Sequence, residues 1–297
     1  MKLLICTAML LLPFLVFSQD KMEQHFRVYS TAQGKVISLD DIMNDFAKAD
    51  VLFFGEEHTD SIAHYVEFTI LKKLMIKYPG KVALSMEMFE TDTQPVLNEY
   101  LQGLIRERNF LIDARAWANY KDYRPMVEMA KANQMDVVAA NAPARYVNMV
   151  SRLGLPSLSK LDAVGKSHLA PLPIDTATGV YYDKFLKIMG GHTNAGGMQV
   201  YESQNLWDAT MGWSIAQYLE SHKGVKVFNV NGGFHTEEKL GTAAQLKKFS
   251  KGVKILNIAS ASGNDLTKPD YAFYTKLADY IVLTDTNLQS VDRAAVK

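Results

Sequence analysis

Two short segments of this chain share one form. Gly55-Glu56-Glu57-His58 and Gly232-Gly233-Phe234-His235 each set a histidine three places after a glycine. A glycine at a strand end lets the chain turn sharply and lets a ligand approach the backbone. The histidine that follows is then aimed back over the strand ends. A third segment, Met86-Glu87-Met88-Phe89, places one carboxylate among apolar neighbours, which is costly unless the group is paired or ligating. Two neutral imidazoles and a carboxylate suit a divalent ion of the zinc, iron or manganese type. His58, Glu87 and His235 are therefore the expected metal ligands, with Gly55 and Gly232 at the ligand's approach. One such histidine alone would more simply brace a loop; two copies with a nearby acid are more specific.

Other polar residues join this set conditionally. Glu56 and Glu57 are ambiguous: either is a candidate base if the ion activates water, and either is suited to face solvent. His64 lies six residues beyond His58, about 600° of helical turn, so it reaches the same point only if His58 precedes the helix. Asn141, in Asn141-Ala142-Pro143, stands after a further strand. Gln204-x-x-x-Asp208-x-x-Met211 falls on one helical stripe, either a solvated face or one that turns Asp208 inward. Trp117, Tyr120 and Tyr123 recur at threes, and Tyr181, Tyr182 and Tyr201 surround an irregular segment. Tyrosine can ligate haem iron and aromatic walls suit a flat macrocycle, although core and rim tyrosines are the plainer reading. His192, in Gly190-Gly191-His192-Thr193, is placed to reach a ligand's carboxylates.

These residues need a scaffold that gathers strand ends. Short apolar runs at residues 51–54, 82–86, 136–140, 226–230, 253–258 and 279–283 alternate with helical periodicity at 61–78, 94–104, 123–134, 207–222 and 237–249. A hairpin over 26–29 and 36–38 and a helix over 39–48 precede them. Alternation of this kind predicts an α/β fold, a mostly parallel sheet flanked by helices and buried on both faces. Ligands then bind beyond the carboxyl ends of the strands. Residues 157–199, rich in glycine and proline around one helix at 181–189, interrupt the rhythm and read as a helical insertion or lid.

Lys2, an apolar run through Phe17 and a break at Ser18-Gln19-Asp20 form a secretory signal peptide, expected to be cleaved after Ser18. The run, roughly 15 residues, is shorter than a spanning helix needs. The expectation is an exported protein, periplasmic or secreted, with residues 19–297 as its mature domain. The single cysteine, Cys6, lies inside the apolar run, so the mature chain is expected to have no disulfide and no thiolate ligand. The 32 basic and 32 acidic residues cancel, which gives no basic footprint for nucleic acid. Serine-nucleophile elbows, phosphate-binding glycine loops and His-Glu-x-x-His zinc helices do not occur.

Gly55-Glu56-x-His58 with His64 downstream, Met86-Glu87-Met88-Phe89, Ala140-Asn141-Ala142-Pro143, Gln204-x-x-x-Asp208-x-x-Met211 and Gly232-x-x-His235 occur in that order. Together they resemble the ChaN-like, iron-regulated haem-binding proteins of the wider Tiki/erythromycin-esterase-like superfamily, over about residues 45 to 260. The resemblance implies an α/β fold with a helical insertion, export, and haem or iron acquisition alongside membrane uptake machinery. It also implies a homodimer with haem at its interface. The wider superfamily implies a metal-dependent hydrolytic site ligated by His58, Glu87 and His235. Members of the ChaN group are typically lipoproteins, and this chain lacks a placed lipobox cysteine, so a soluble form without a lipid anchor is expected. Tyr123 and Tyr120 are the candidates for a haem-ligating tyrosine. Haem binding and hydrolysis both remain open, because one fold and one site geometry serve either.

Overall fold

A computed structural model describes residues 22–190, 195–263 and 265–285. The expected signal peptide, with Cys6 and Ser18, and His192 lie outside the described residues. Eight strands form one sheet: β1 (Phe26–Ser30), β2 (Lys35–Ile37), β3 (Val51–Glu56), β4 (Val82–Glu90), β5 (Val137–Asn141), β6 (Lys226–Gly232), β7 (Ile255–Gly263) and β8 (Tyr280–Asp285), in the order β2-β1-β8-β7-β3-β6-β4-β5. The six strands from β8 to β5 run parallel, and the β1–β2 hairpin adds to β8 antiparallel. The α/β class with a mostly parallel sheet is as the alternation of apolar runs predicts.

Helices α1 (Leu39–Asp45), α2 (Ser61–Lys77), α3 (Gln94–Leu101), α4 (Glu107–Asp113), α5 (Tyr120–Ala132), α6 (Ala144–Leu153), α7 (Ala163–Ser167), α8 (Val180–Ile188), α9 (Ala195–Ser221), α10 (Thr242–Phe249) and α11 (Tyr271–Tyr274) surround it. The two faces of β3 show how the period of two sorts them. Leu52 and Phe54 join the cluster with Ile62, Val66 and Ile70 of α2 and Tyr123 of α5. Val51 and Phe53 join Ile215 of α9 and Ala243 and Leu246 of α10. By the same alternation Glu56 falls on the α2 side and Gly55 on the α9–α10 side.

The strands run further than their apolar stretches. Gly55 pairs with Asn231 and Glu56 with Gly232, so the polar segments finish the ladder instead of following it. The β4–β6 pairing stops at Met86–Val230, and the β4–β5 register shifts between Met86 and Glu90. Irregularities of this kind re-aim a side chain, and here Glu87 is the residue re-aimed. α9 begins a dozen residues before its expected start at 207. The helix expected over 237–249 is divided: Glu237–Lys239 is a 3₁₀ turn with Glu238 at φ 59°, and α10 proper starts at Thr242. Residues 155–190 carry a 3₁₀ turn (Leu155–Lys160), α7 and α8. Tyr181 and Phe185 of α8 pack with Tyr201 and Phe234, beside His235.

Candidate functional site

Asp60 caps α2, its carboxylate accepting from the backbone of Ile62 and Ala63, which starts the helix after His58. His58 therefore stands in the loop between β3 and α2. Its Nδ1–H donates to Glu56 Oε1 at 2.8 Å, and its ring meets Trp117 edge-on at 5.1 Å. The side chain is 40% exposed, whereas that of His235 is 8% exposed.

His235 has the same arrangement on the other side of the strand ends. Its Nδ1–H donates to Asp208 Oδ1 at 2.8 Å, and the Gln204 amide lies 3.0 Å from that nitrogen. Asp208 also accepts from the hydroxyls of Thr242 and Tyr181. The free nitrogen, Nε2, faces Glu87 Oε1 at 3.5 Å. Glu87 Oε2 takes the Gly232 N–H at 2.7 Å, the donor left over where β6 parts from β4. A Cβ on Gly232 would stand 2.9 Å from His58 Nε2 and 3.6 Å from Glu87 Oε2, so these two atoms flank one point. Each imidazole is thus held through Nδ1 by its own carboxylate and turns Nε2 toward Glu87. Carboxylate–histidine pairs of this form fix ring orientation and raise basicity, in metal sites and acid–base sites alike.

The electrostatics follow from that packing. Burial would lower the His235 pKa, but Glu87 and Asp208 outweigh it and push it up to about 10. The Glu56 hydrogen bond likewise raises His58. Burial opposes ionisation of Glu87, yet His235, His58 and the Gly232 N–H together hold it below its ordinary value. A histidine raised in the fold stabilises it fully below its unfolded value of 6.5, and that contribution is lost as pH rises through about 10. The urea midpoint is expected to fall between pH 7 and pH 10.5, and to fall less steeply in His235→Gln. Parallel slopes for the two proteins would refute the assignment.

Gly232 shows how tightly the point is built. Its φ of −58° suits any residue, so an added methyl offends only its neighbours. The nearest is the half-exposed His58 ring, which can swing away. Gly232→Ala is expected to cost about 1 kcal/mol or less in urea unfolding, yet to weaken ligand binding at His58 about tenfold or more. Gly55 is confined by something firmer: a Cβ there would meet Thr236 Oγ1 at 2.8 Å and Gly233 Cα at 3.0 Å.

In front of Glu87 lies a groove of about 550 Å³, walled by Trp117 and Trp207 and also bordered by Glu90, Asn141 and Val200. Trp207 stands edge-on to His235 as Trp117 does to His58, at 6.4 Å. Other candidates are engaged in contacts of their own. Glu57 is exposed and bonds Ser262 at the end of β7, outside this set. Tyr123 is fully buried and donates to Glu56 Oε1 at 2.6 Å, so its hydroxyl offers nothing to a haem iron. Tyr120 is buried against Phe89 and Phe110. Asn141 Oδ1 accepts from the backbone of Ala142 at 2.9 Å. His64 does come close: its Nδ1 is 3.2 Å from Glu56 Oε2 and its Nε2 donates to the His58 carbonyl at 3.3 Å.

Glu67 is the participant that the sequence reading lacks. Its Oε2 lies 3.3 Å from His64 Nδ1. The signal was present as His64-x-x-Glu67, one helical turn within the otherwise apolar run of α2.

The family model described as "Haem-binding uptake, Tiki superfamily, ChaN" matches residues 42–246. The chain belongs to this family. Among solved structures it is similar to ChaN of Campylobacter jejuni, whose title describes cofacial haem binding, at 19% identity and a TM-score of 0.68, covering 88% of this chain and 98% of that one. A Bacillus cereus protein shares 11% identity at a TM-score of 0.48, over 90% and 96% of the two chains. An erythromycin esterase mutant in its open conformation shares 10% at 0.46, over 88% and 83%. At these identities the likeness is of fold alone. No curated protein sequence matches the chain. Among the described residues, no helix is long and apolar enough to cross a membrane.

Proposed function

We propose that this chain is an exported haem-binding protein of an uptake system, with its ligand in the Trp117–Trp207 groove and His58 as the residue that meets the iron. The observation that carries this reading is the state of His58. It is the site's exposed imidazole, its Nδ1 is anchored by Glu56, and its Nε2 is turned toward the groove's carboxylate. The residues fit the group: Trp117 and Trp207 line the groove with flat apolar surface, and a volume of about 550 Å³ lies within the range of small-molecule pockets. Haem, when bound, would supply an iron able to take an imidazole nitrogen. His58 would offer that nitrogen, Glu56 orients it, and Trp117 packs edge-on against its ring.

Titration of the purified mature chain with hemin is expected to give a saturable Soret shift at a fixed stoichiometry. Sedimentation of the same samples reads the homodimer that family membership suggests. A featureless, non-saturating titration would overturn the proposal.

The two carboxylate-held imidazoles support a second reading, metal-dependent hydrolysis, in which an ion at His58, Glu87 and His235 activates water. Glu57 stands outside such a site, and Glu56 is already engaged by His58 and Tyr123. Glu87 would then be both ligand and nearest carboxylate. Metal analysis with hydrolytic screening, wild type against His58→Ala, separates this reading from haem binding.

A further inference from the structure

Beneath the groove, on the α2 side of β3, lies a second set of donors that neither reading uses as ligands. Glu56 ends β3, and His64 and Glu67 stand one turn apart on α2. One ligand atom from each lies within 4.8 Å of the others, and all three residues are buried. His64 Nδ1 is the centre, 3.2 Å from Glu56 Oε2 and 3.3 Å from Glu67 Oε2. Its other nitrogen donates to the His58 carbonyl, the kind of backbone contact that orients a ligating imidazole.

A separate observation points to an occupant. Glu56 Oε2 and Glu67 Oε1 are buried and have no hydrogen-bond partner. Both side chains are 0% exposed. Native folds leave few buried polar atoms unsatisfied, and fewer still on acids. Two carboxylates drawn together out of water repel each other unless positive charge lies between them. His64 Nδ1 stands within hydrogen-bond distance of both acids, so that charge is either a proton on this nitrogen or a cation in its place.

We propose that Glu56, His64 and Glu67 hold a buried divalent first-row metal ion, separate from the groove. Two carboxylates and one imidazole suit manganese, iron or zinc. The site is structural in character, because all three of its residues are buried. It ties α2 to the end of β3, and through Glu56 it braces the carboxylate that holds His58. The inference does not depend on haem binding, since Glu56, His64 and Glu67 do not line the groove.

The full mature chain, unfolded in urea with a chelator and refolded with Mn²⁺ or Zn²⁺ alone, tests it by metal content after desalting. Wild type and Glu87→Gln, which disables the groove's donor set, are expected to retain about one ion per chain. Glu67→Gln, nearly identical in shape, is expected to retain less than about a tenth of that. Retention in Glu67→Gln equal to wild type overturns the proposal. So does a metal-free wild type, which would leave protons as the only occupants, and so does loss in Glu87→Gln with retention in Glu67→Gln. Should Glu67→Gln fail to fold, anomalous scattering from metal-refolded wild-type crystals decides. A peak bounded by Glu56, His64 and Glu67 supports the site; its absence there refutes it.

Discussion

Replacing Asp208 with alanine is expected to lower the unfolding free energy by about 3–5 kcal/mol, the cost of leaving a buried charge without its partner. Asp208 is fully buried and accepts from His235 Nδ1, from Thr242 and from Tyr181. It therefore joins α9 to the His235 turn, to the first residue of α10 and to α8. Its removal takes the 2.8 Å acceptor from the buried His235 ring and leaves two hydroxyls without theirs. Asp208→Asn keeps the shape and one acceptor oxygen, so its loss is expected to be clearly smaller. Urea unfolding at pH 7 measures both. A loss below about 1 kcal/mol for the alanine variant would show that the network contributes little.

On the proposed haem site, His58→Ala is expected to lower hemin affinity by at least about 100-fold and to move the Soret maximum, because the nitrogen offered to the iron is lost and not merely a neighbour. The fold is expected to survive, since the ring is 40% exposed and its loss leaves Glu56 with the Tyr123 hydroxyl as a donor. Glu56→Gln, which keeps the ring but weakens its anchor, is expected to cost between about tenfold and 100-fold with a smaller spectral change. Absorbance titrations of the three proteins give the ranking. If His58→Ala binds hemin as tightly as wild type with an unchanged spectrum, the iron is not held at His58.

Much of this architecture was legible because its signals are local and periodic. The apolar runs at residues 51–54, 82–86 and 226–230 located β3, β4 and β6, and the twin glycine–histidine segments marked the rim they share. The inward turn of Asp208 was legible as an alternative, since α9 offers no clean polar stripe around it. The strand ends were harder to read. Glycine and glutamate are poor strand formers, yet Gly55 stays in the ladder because β6 and β7 hold it on both sides, and Glu56 and Gly232 extend it by pairing with each other. Tyr123 misled for a related reason. Its hydroxyl is polar and looked available, but α5 turns it onto Glu56, a partner 67 residues away. Glu67 was missed because a glutamate on a helix is ordinarily solvated; only the closeness of β3 makes this one central.

The parting of β4 from β6 has a further consequence. A backbone ladder is blind to residue identity, so most of the sheet tolerates exchange of its side chains for others of similar bulk. At the rim, cohesion passes from peptide to carboxylate, because Glu87 occupies the Gly232 amide that no neighbouring strand takes up. Drift at position 87 therefore cannot be neutral for architecture while altering chemistry, or the reverse: the same side chain closes the seam and faces the guest.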